Sequence, residues 1–163
     1  MKRTFFSLAL LLAVATLTAQ TKMTAREAAV KIADRILAST TYEFKNTKTG
    51  EIYKSVKKLP LDMDVKVACK YNNWHYTNGV TNMALMELGD KLGDKKYEKY
   101  VLKNMNFVFN EGNLDFFRKQ YDEAFKRDGW NAVRKLSWHM IFRGKRLDDN
   151  GPMGASLIEL QLK

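Results

Sequence analysis

The chain has 163 residues but only one cysteine, Cys69, so no disulfide can form within it and no zinc site can be built on several thiolates. An exported domain with a sufficient core does not need disulfides, and Cys69 reads as a small buried apolar residue. There are two histidines, His75 and His139, 64 positions apart and without carboxylates at metal-ligand spacing, so no metal site is expected. Prolines number two, Pro60 and Pro152, and few breaks are therefore imposed on helices. No Gly-x-Ser-x-Gly elbow and no phosphate-binding glycine loop is present, and no cofactor is implied. No strand alternation stands out, which points to an all-α fold.

One apolar run is present, at the amino terminus. In "MKRTFFSLALLLAVATLTAQ", Lys2 and Arg3 precede a short apolar stretch and then small residues. That order is a secretory signal peptide, expected to be cleaved after Ala19 or Gln20. The run is shorter than the roughly 20 residues that span a bilayer, so a membrane span is not expected. The domain reading is residues 1–20 as signal peptide and 21–163 as one domain, placed in the periplasm or outside the cell. The net charge of +10 falls to +8 once Lys2 and Arg3 are removed. A basic surface attracts polyanions. For an exported protein the natural polyanion is an acidic polysaccharide, and export together with the absence of a clustered basic helix argues against nucleic acid as partner.

Helix signals run along the rest. Thr24 and Glu27 form a capping box for a helix over 25–38, with Ala29, Ile32, Ala33, Ile36 and Leu37 at helical spacing. Residues 39–58 read as a loop with a turn at Gly50 and a short extended piece near 52–56. The type of segment 60–74 is left open. From Tyr76, Val80, Met83, Ala84 and Leu88 mark a helix that Gly89 and Gly93 should end. Asp94 should cap the next helix, whose stripe is Tyr97, Val101, Met105 and Val108; the short connection makes the two an antiparallel hairpin. Asn113 should cap a further helix carrying Leu114, Phe117, Tyr121 and Ala124, stopped at Gly129. Residues 131–143 read as another helix. A last helix should start at Pro152, which suits a first helical position, after a turn at Asp148-Asp149.

Two segments repeat one design, 72 residues apart: "NGVTNMALMEL" from Asn78 and "NGPMGASLIEL" from Asn150. Each has a polar loop, a glycine, then a helix with a small-residue face ending in Glu-Leu, a recurrence suited to helical hairpins in a ring or stack. Both entrances carry candidate chemistry. In "WHYTNG" (74–79), Trp74 and Tyr76 offer flat faces for a sugar ring and His75 and Asn78 offer polar contacts; the same residues also fit simple packing of a helix entrance. In "LDDNGPMG" (147–154) two adjacent acids cannot both cap one helix. Either one caps and the other faces a cavity as a general acid or base, or both belong to a solvated turn.

Together, "WHYTNGVTNMALMEL" and "RLDDNGPMGASLIEL" resemble glycoside hydrolase families 88 and 105, the unsaturated glucuronyl and unsaturated rhamnogalacturonyl hydrolases, and more closely the latter. The resemblance implies an (α/α)6 barrel of six helical hairpins. It implies an activity on lyase-generated oligosaccharides: the 4,5 double bond of the terminal unsaturated uronic acid is protonated by an Asp, water adds at C5, and the hemiketal opens to release the next sugar. By the motif, Asp149 corresponds to the acid that contacts the uronate and supports catalysis, with Asp148 the secondary candidate; Tyr76 corresponds to the aromatic residue lining the sugar site, with Trp74 and Asn78 shaping it. The family's proton-donating Asp lies downstream of this turn. Twelve helices of about 11 residues with connections of about 5 need roughly 190 residues, so the resemblance covers about half a barrel. The expectation is an amino-terminal part, inactive alone, with a second chain as a candidate to complete the barrel. The competing expectation is a noncatalytic exported helical-repeat protein that binds carbohydrate or protein.

Overall fold

A computed structural model describes residues 23–144 and 147–163, with Asp149 described by its backbone only. The signal-peptide reading of residues 1–20 lies outside the described residues. The chain divides into two compact units, one ending at Ile32 and one spanning Ala33–Lys163, and the division falls inside the first helix.

Helix α1 (Ala25–Ser39) opens on the expected capping box. Thr24 Oγ1 accepts from the Glu27 amide at 3.2 Å, and Glu27 Oε2 accepts from the Thr24 amide at 2.8 Å. The Thr24 amide and then the Thr24 hydroxyl, both donating to the carboxylate, hold the Glu27 carboxyl below its usual range because they favour the charged form.

The described residues are mostly helical, in line with the all-α expectation, but a small sheet was not anticipated. Strands β1 (Phe44–Asn46), β2 (Ile52–Tyr53) and β3 (Val65–Val67) form an antiparallel sheet in the order β2-β1-β3. Phe44 faces both Tyr53 and Val67 in the register. Strands of two or three residues are too short for alternation to show. They are held by side-chain hydrogen bonds instead. The Asn46 side chain accepts from the amides of Lys48 and Thr49, Gly50 takes φ +78° in the turn, and Gln120 donates to the carbonyls of Asp62 and Val65.

Helices α2 (Tyr76–Leu92) and α3 (Lys96–Phe109) form the expected hairpin, turned by Gly93 at φ +65°. Helix α2 does not end at Gly89. That glycine is buried where a side chain would press on the Asp94 carbonyl and Tyr97, so its role is close packing. The N-cap position of α3 is Lys95 rather than Asp94, which sits one residue earlier and accepts from the Lys96 amide; Tyr97, Val101, Met105 and Val108 are all buried, as the stripe foretold.

Helix α4 (Glu111–Val133) is capped by Asn110 rather than Asn113, three residues earlier than expected. Asn113 instead donates to the Phe107 carbonyl. At Asp128 and Gly129 the backbone leaves helical geometry, as the glycine foretold. The expected helix over 131–143 is broken in two: 130–133 completes α4, a turn follows, and α5 covers His139–Arg143. The turn buries Leu136 and Trp138, and Trp138 stacks on Phe117 with ring centroids 5.2 Å apart.

Helix α6 (Leu147–Gln161) starts five residues before Pro152. Asp148 and Asp149 are therefore helical residues of its first turn, not a turn preceding it. Pro152 sits inside the helix, where it withholds one intrahelical hydrogen bond. Acidic residues in a first turn favour the free amides there, which is how the helix gains its early start.

Candidate functional site: the paired entrances of α2 and α6

The two repeated segments lie against each other. The Trp74 indole donates from Nε1 to Asn150 Oδ1 at 2.8 Å. Five residues on, Gly79 lies so close to α6 that a methyl carbon placed on it would sit 2.3 Å from the Pro152 carbonyl carbon and 2.4 Å from the Met153 amide nitrogen. Further along both helices, Lys163 Nζ pairs with Asp90. The contacts advance along both chains in the same sense, so α2 and α6 run parallel with their amino-terminal ends together.

The face of α2 turned to its neighbours is not the one the apolar spacing suggested. Asn78, Gly79, Asn82, Leu85, Met86 and Gly89 are buried, while Val80 (53% exposed) and Met83 (41%) face outward. The reason is Gly79: only a residue without a side chain admits the α6 backbone, so the small and polar face packs inward. On α6 the counterpart residues Met153 and Ser156 are buried.

The sequence-predicted site residues divide by environment. Tyr76, in the first turn of α2, is 47% exposed, its ring 4.8 Å from that of His75. His75 caps α2, its Nδ1 accepting from the Thr77 amide. Trp74 is buried, its ring against the core residue Trp138 on one side and the exposed Phe109 on another. Asn78 is buried too; its amide donates to the carbonyls of Lys70 and Asn73 at 2.8 and 2.7 Å, fixing the short 3-10 turn Lys70–Asn72 that leads into the site. Asp148 is exposed in the first turn of α6. Asp149 follows it in the same turn, and its side chain lies outside the described residues. The structure thus brings the two entrances together, with Tyr76 and Asp148 open to solvent and Trp74 and Asn78 buried beneath as support.

Sequence reasoning missed two features. One is a concavity of about 810 Å³ bordered by Tyr42, Lys54, Lys57, Asn106 and Glu111, where residues 39–58 had read as a loop. The Tyr42 phenol there donates to Asn104 Oδ1, and burial pushes its pKa up. The other is a group of buried asparagines, Asn72, Asn82 and Asn104, with Asn73 beside them. Asparagine carries no charge and forms no motif, so only its burial marks it.

Among the described residues no group of three or more His, Cys, Asp and Glu could hold a metal ion, and no helix is long and apolar enough to cross a membrane. No protein-family model, curated protein or solved structure matches the chain.

Proposed function

We propose that the chain supplies the uronide-binding part of an unsaturated uronyl hydrolase of the rhamnogalacturonyl type, with its hairpins forming part of an (α/α)6 barrel. The observation that carries the reading is the parallel contact of α2 and α6, which sets the Trp74-to-Asn150 hydrogen bond between the two segments that resemble the family. Parallel neighbouring helices are what an inner ring of hairpins requires, and α2 and α6 are such neighbours, with α3, α4 and α5 between them in the chain. In this reading the exposed Tyr76 ring stacks on the unsaturated uronate. Asp149, with Asp148 beside it, hydrogen-bonds the sugar and stabilises the charge that develops when the double bond is protonated. Proton donation falls to a further acid outside this pair. The basic net charge favours an anionic substrate, and export places the protein where lyase products arise.

The test is to titrate purified residues 21–163 with unsaturated rhamnogalacturonan disaccharide, following heat of binding and the ultraviolet absorbance of the double bond. Binding without loss of absorbance is expected, weakened about tenfold or more, equivalent to about 1.4 kcal/mol, by Tyr76→Ala or Asp149→Asn. Absence of binding overturns the reading. Fast loss of absorbance overturns the assignment of proton donation to a further acid.

A second reading, a noncatalytic exported helical-repeat protein, draws on the outward Val80 and Met83 of α2, the exposed Ile158 of α6 and the exposed Leu162 just past its end. Such apolar residues suit a protein partner. Under its protein-binding form, the disaccharide does not bind and Asp149→Asn changes nothing.

A further inference from the structure

Helix α6 carries an uncovered apolar face. Leu147 at its start, Ile158 near its end and Leu162 just past its end are all exposed. Between them, a methyl carbon placed on Gly151 or Gly154 meets nothing within 4 Å among the described residues. Positions 147, 151, 154, 158 and 162 recur at helical spacing, so they share one side of the helix.

The repeat of α2 and α6 relates this face to one that is covered. At a separation of 72 residues, Gly151, Gly154 and Ile158 hold the places of Gly79, Asn82 and Met86. Those three residues of α2 are buried, and α6 lies over them. Gly79 faces the backbone of Pro152 and Met153, Asn82 borders a small cavity together with Met153, and Leu160 packs against the cluster that contains Met86. Met86 is 1% exposed where its equivalent Ile158 is 65% exposed. The same design is thus covered by a parallel helix on α2 and left open on α6.

The covering side is repeated as well. Helix α6 approaches Gly79 through Pro152, and Ser156, one turn on, is fully buried. Their equivalents on α2 are Val80 and Ala84, and both are exposed. One chain therefore presents an unfilled receiving face on α6 and an unused covering face on α2. These are the two halves of a contact the chain already makes once within itself. A second copy supplies what the first lacks, and a twofold axis makes the contact twice.

We propose that α6 of one copy receives α2 of a second copy in parallel. Gly151 admits the backbone at Val80 as Gly79 admits that at Pro152, and Ile158 is buried beneath the incoming helix as Met86 is beneath α6. Removing Val80 and Ile158 from water drives the association. The net charge of +10 on each chain opposes it, so added salt should strengthen it by screening. The inference rests on the contact of α2 and α6 and not on the hydrolase reading, so either can fail without the other.

Sedimentation equilibrium of the purified full chain, from about 1 μM to about 1 mM, is expected to show a mass that rises with concentration to at least two chains. Ile158→Lys, Gly151→Leu and Val80→Lys should each weaken association about tenfold or more. The diluted variants should keep the circular dichroism of the wild type, because within one chain positions 80 and 158 are exposed and position 151 is open. Mixing identifies the faces. Ile158→Lys keeps an intact α2 and Val80→Lys an intact α6, so an equimolar mixture should associate where neither variant does alone. A chain that stays single across the range overturns the proposal. So does an oligomer that the three variants retain, and so does a mixture no more associated than its components.

Discussion

Substituting Gly79 by alanine probes the contact on which the site is built. The added methyl carbon would lie 2.3 Å from Pro152 C, 2.4 Å from Met153 N and 2.7 Å from Pro152 O. All three are backbone atoms, so no side chain can swing aside. Ordinary carbon contacts begin near 3.5 Å, and α6 must therefore retreat by about 1 Å. Overpacking of this kind costs about 1–3 kcal/mol, and the retreat also loosens Met153 and Ser156, which are 3% and 0% exposed. Alanine recovers about 1 kcal/mol through its better helix propensity. The net expectation is a loss of about 1 kcal/mol, or about 2–4 °C in Tm. Gly151 is the matched control: it holds the same place in the repeat and lies in helix α6, yet a methyl carbon on it meets nothing within 4 Å. Gly151→Ala should gain about 0.4–1 kcal/mol. Urea unfolding of both variants gives the comparison directly. If Gly79→Ala is as stable as Gly151→Ala, the close parallel contact of α2 and α6 is wrong.

Three further outcomes follow from individual contacts. The Asp90 carboxyl is held below its ordinary value of 3.8, chiefly by its hydrogen bond to Lys163. A depressed folded pKa means the pair's stabilisation is present above about pH 3.8 and is lost as pH falls through the lower folded value. Carboxyl chemical shifts should place the Asp90 midpoint below 3.8 and return it to the ordinary value in Lys163→Gln; an unchanged midpoint contradicts the pairing. Trp74→Phe removes the indole donor to Asn150 Oδ1 and should lower stability by about 0.5–1.5 kcal/mol in urea, whereas no change would mean that the bond is not made. Cys69 is 9% exposed, so a thiol reagent such as dithionitrobenzoate should react with it slowly in the native protein and rapidly in urea. Equal rates would place the thiol at the surface.

Helices with strong local signals were legible from sequence. The Thr24 and Glu27 box, the α3 stripe from Tyr97 to Val108 and the break at Gly129 each rest on neighbours within one or two turns, and each stands in the structure. The sheet was not legible, because its strands are too short for alternation to show and β3 is held by Gln120, 55 residues on from Val65. The inward face of α2 was misread for a related reason. Apolar spacing chose Val80 and Met83, but the decisive residue was Gly79, whose value lies in the helix it admits 73 residues later. The start of α6 was placed too late because Pro152 was taken for a first helical residue; an early start gives Asp148 and Asp149 places beside the free amides. For the candidate site, the similarity of the two repeated segments suggested hairpins in a ring or stack, and their direct contact through Gly79 and Pro152 was not foreseen. The burial of Trp74 and Asn78 beneath the exposed Tyr76 depends on tertiary contacts that spacing does not reveal.

The central claim is that residues 74–79 and 147–154 form one face that recognises an unsaturated uronide. The most direct measurement is a proton–nitrogen correlation spectrum of the isotope-labelled chain titrated with unsaturated rhamnogalacturonan disaccharide. The account predicts saturable shifts concentrated in those two segments, centred on Tyr76 and the first turn of α6. Shifts confined to the concavity beside Lys54 and Lys57, or no saturable shifts at all, would contradict it.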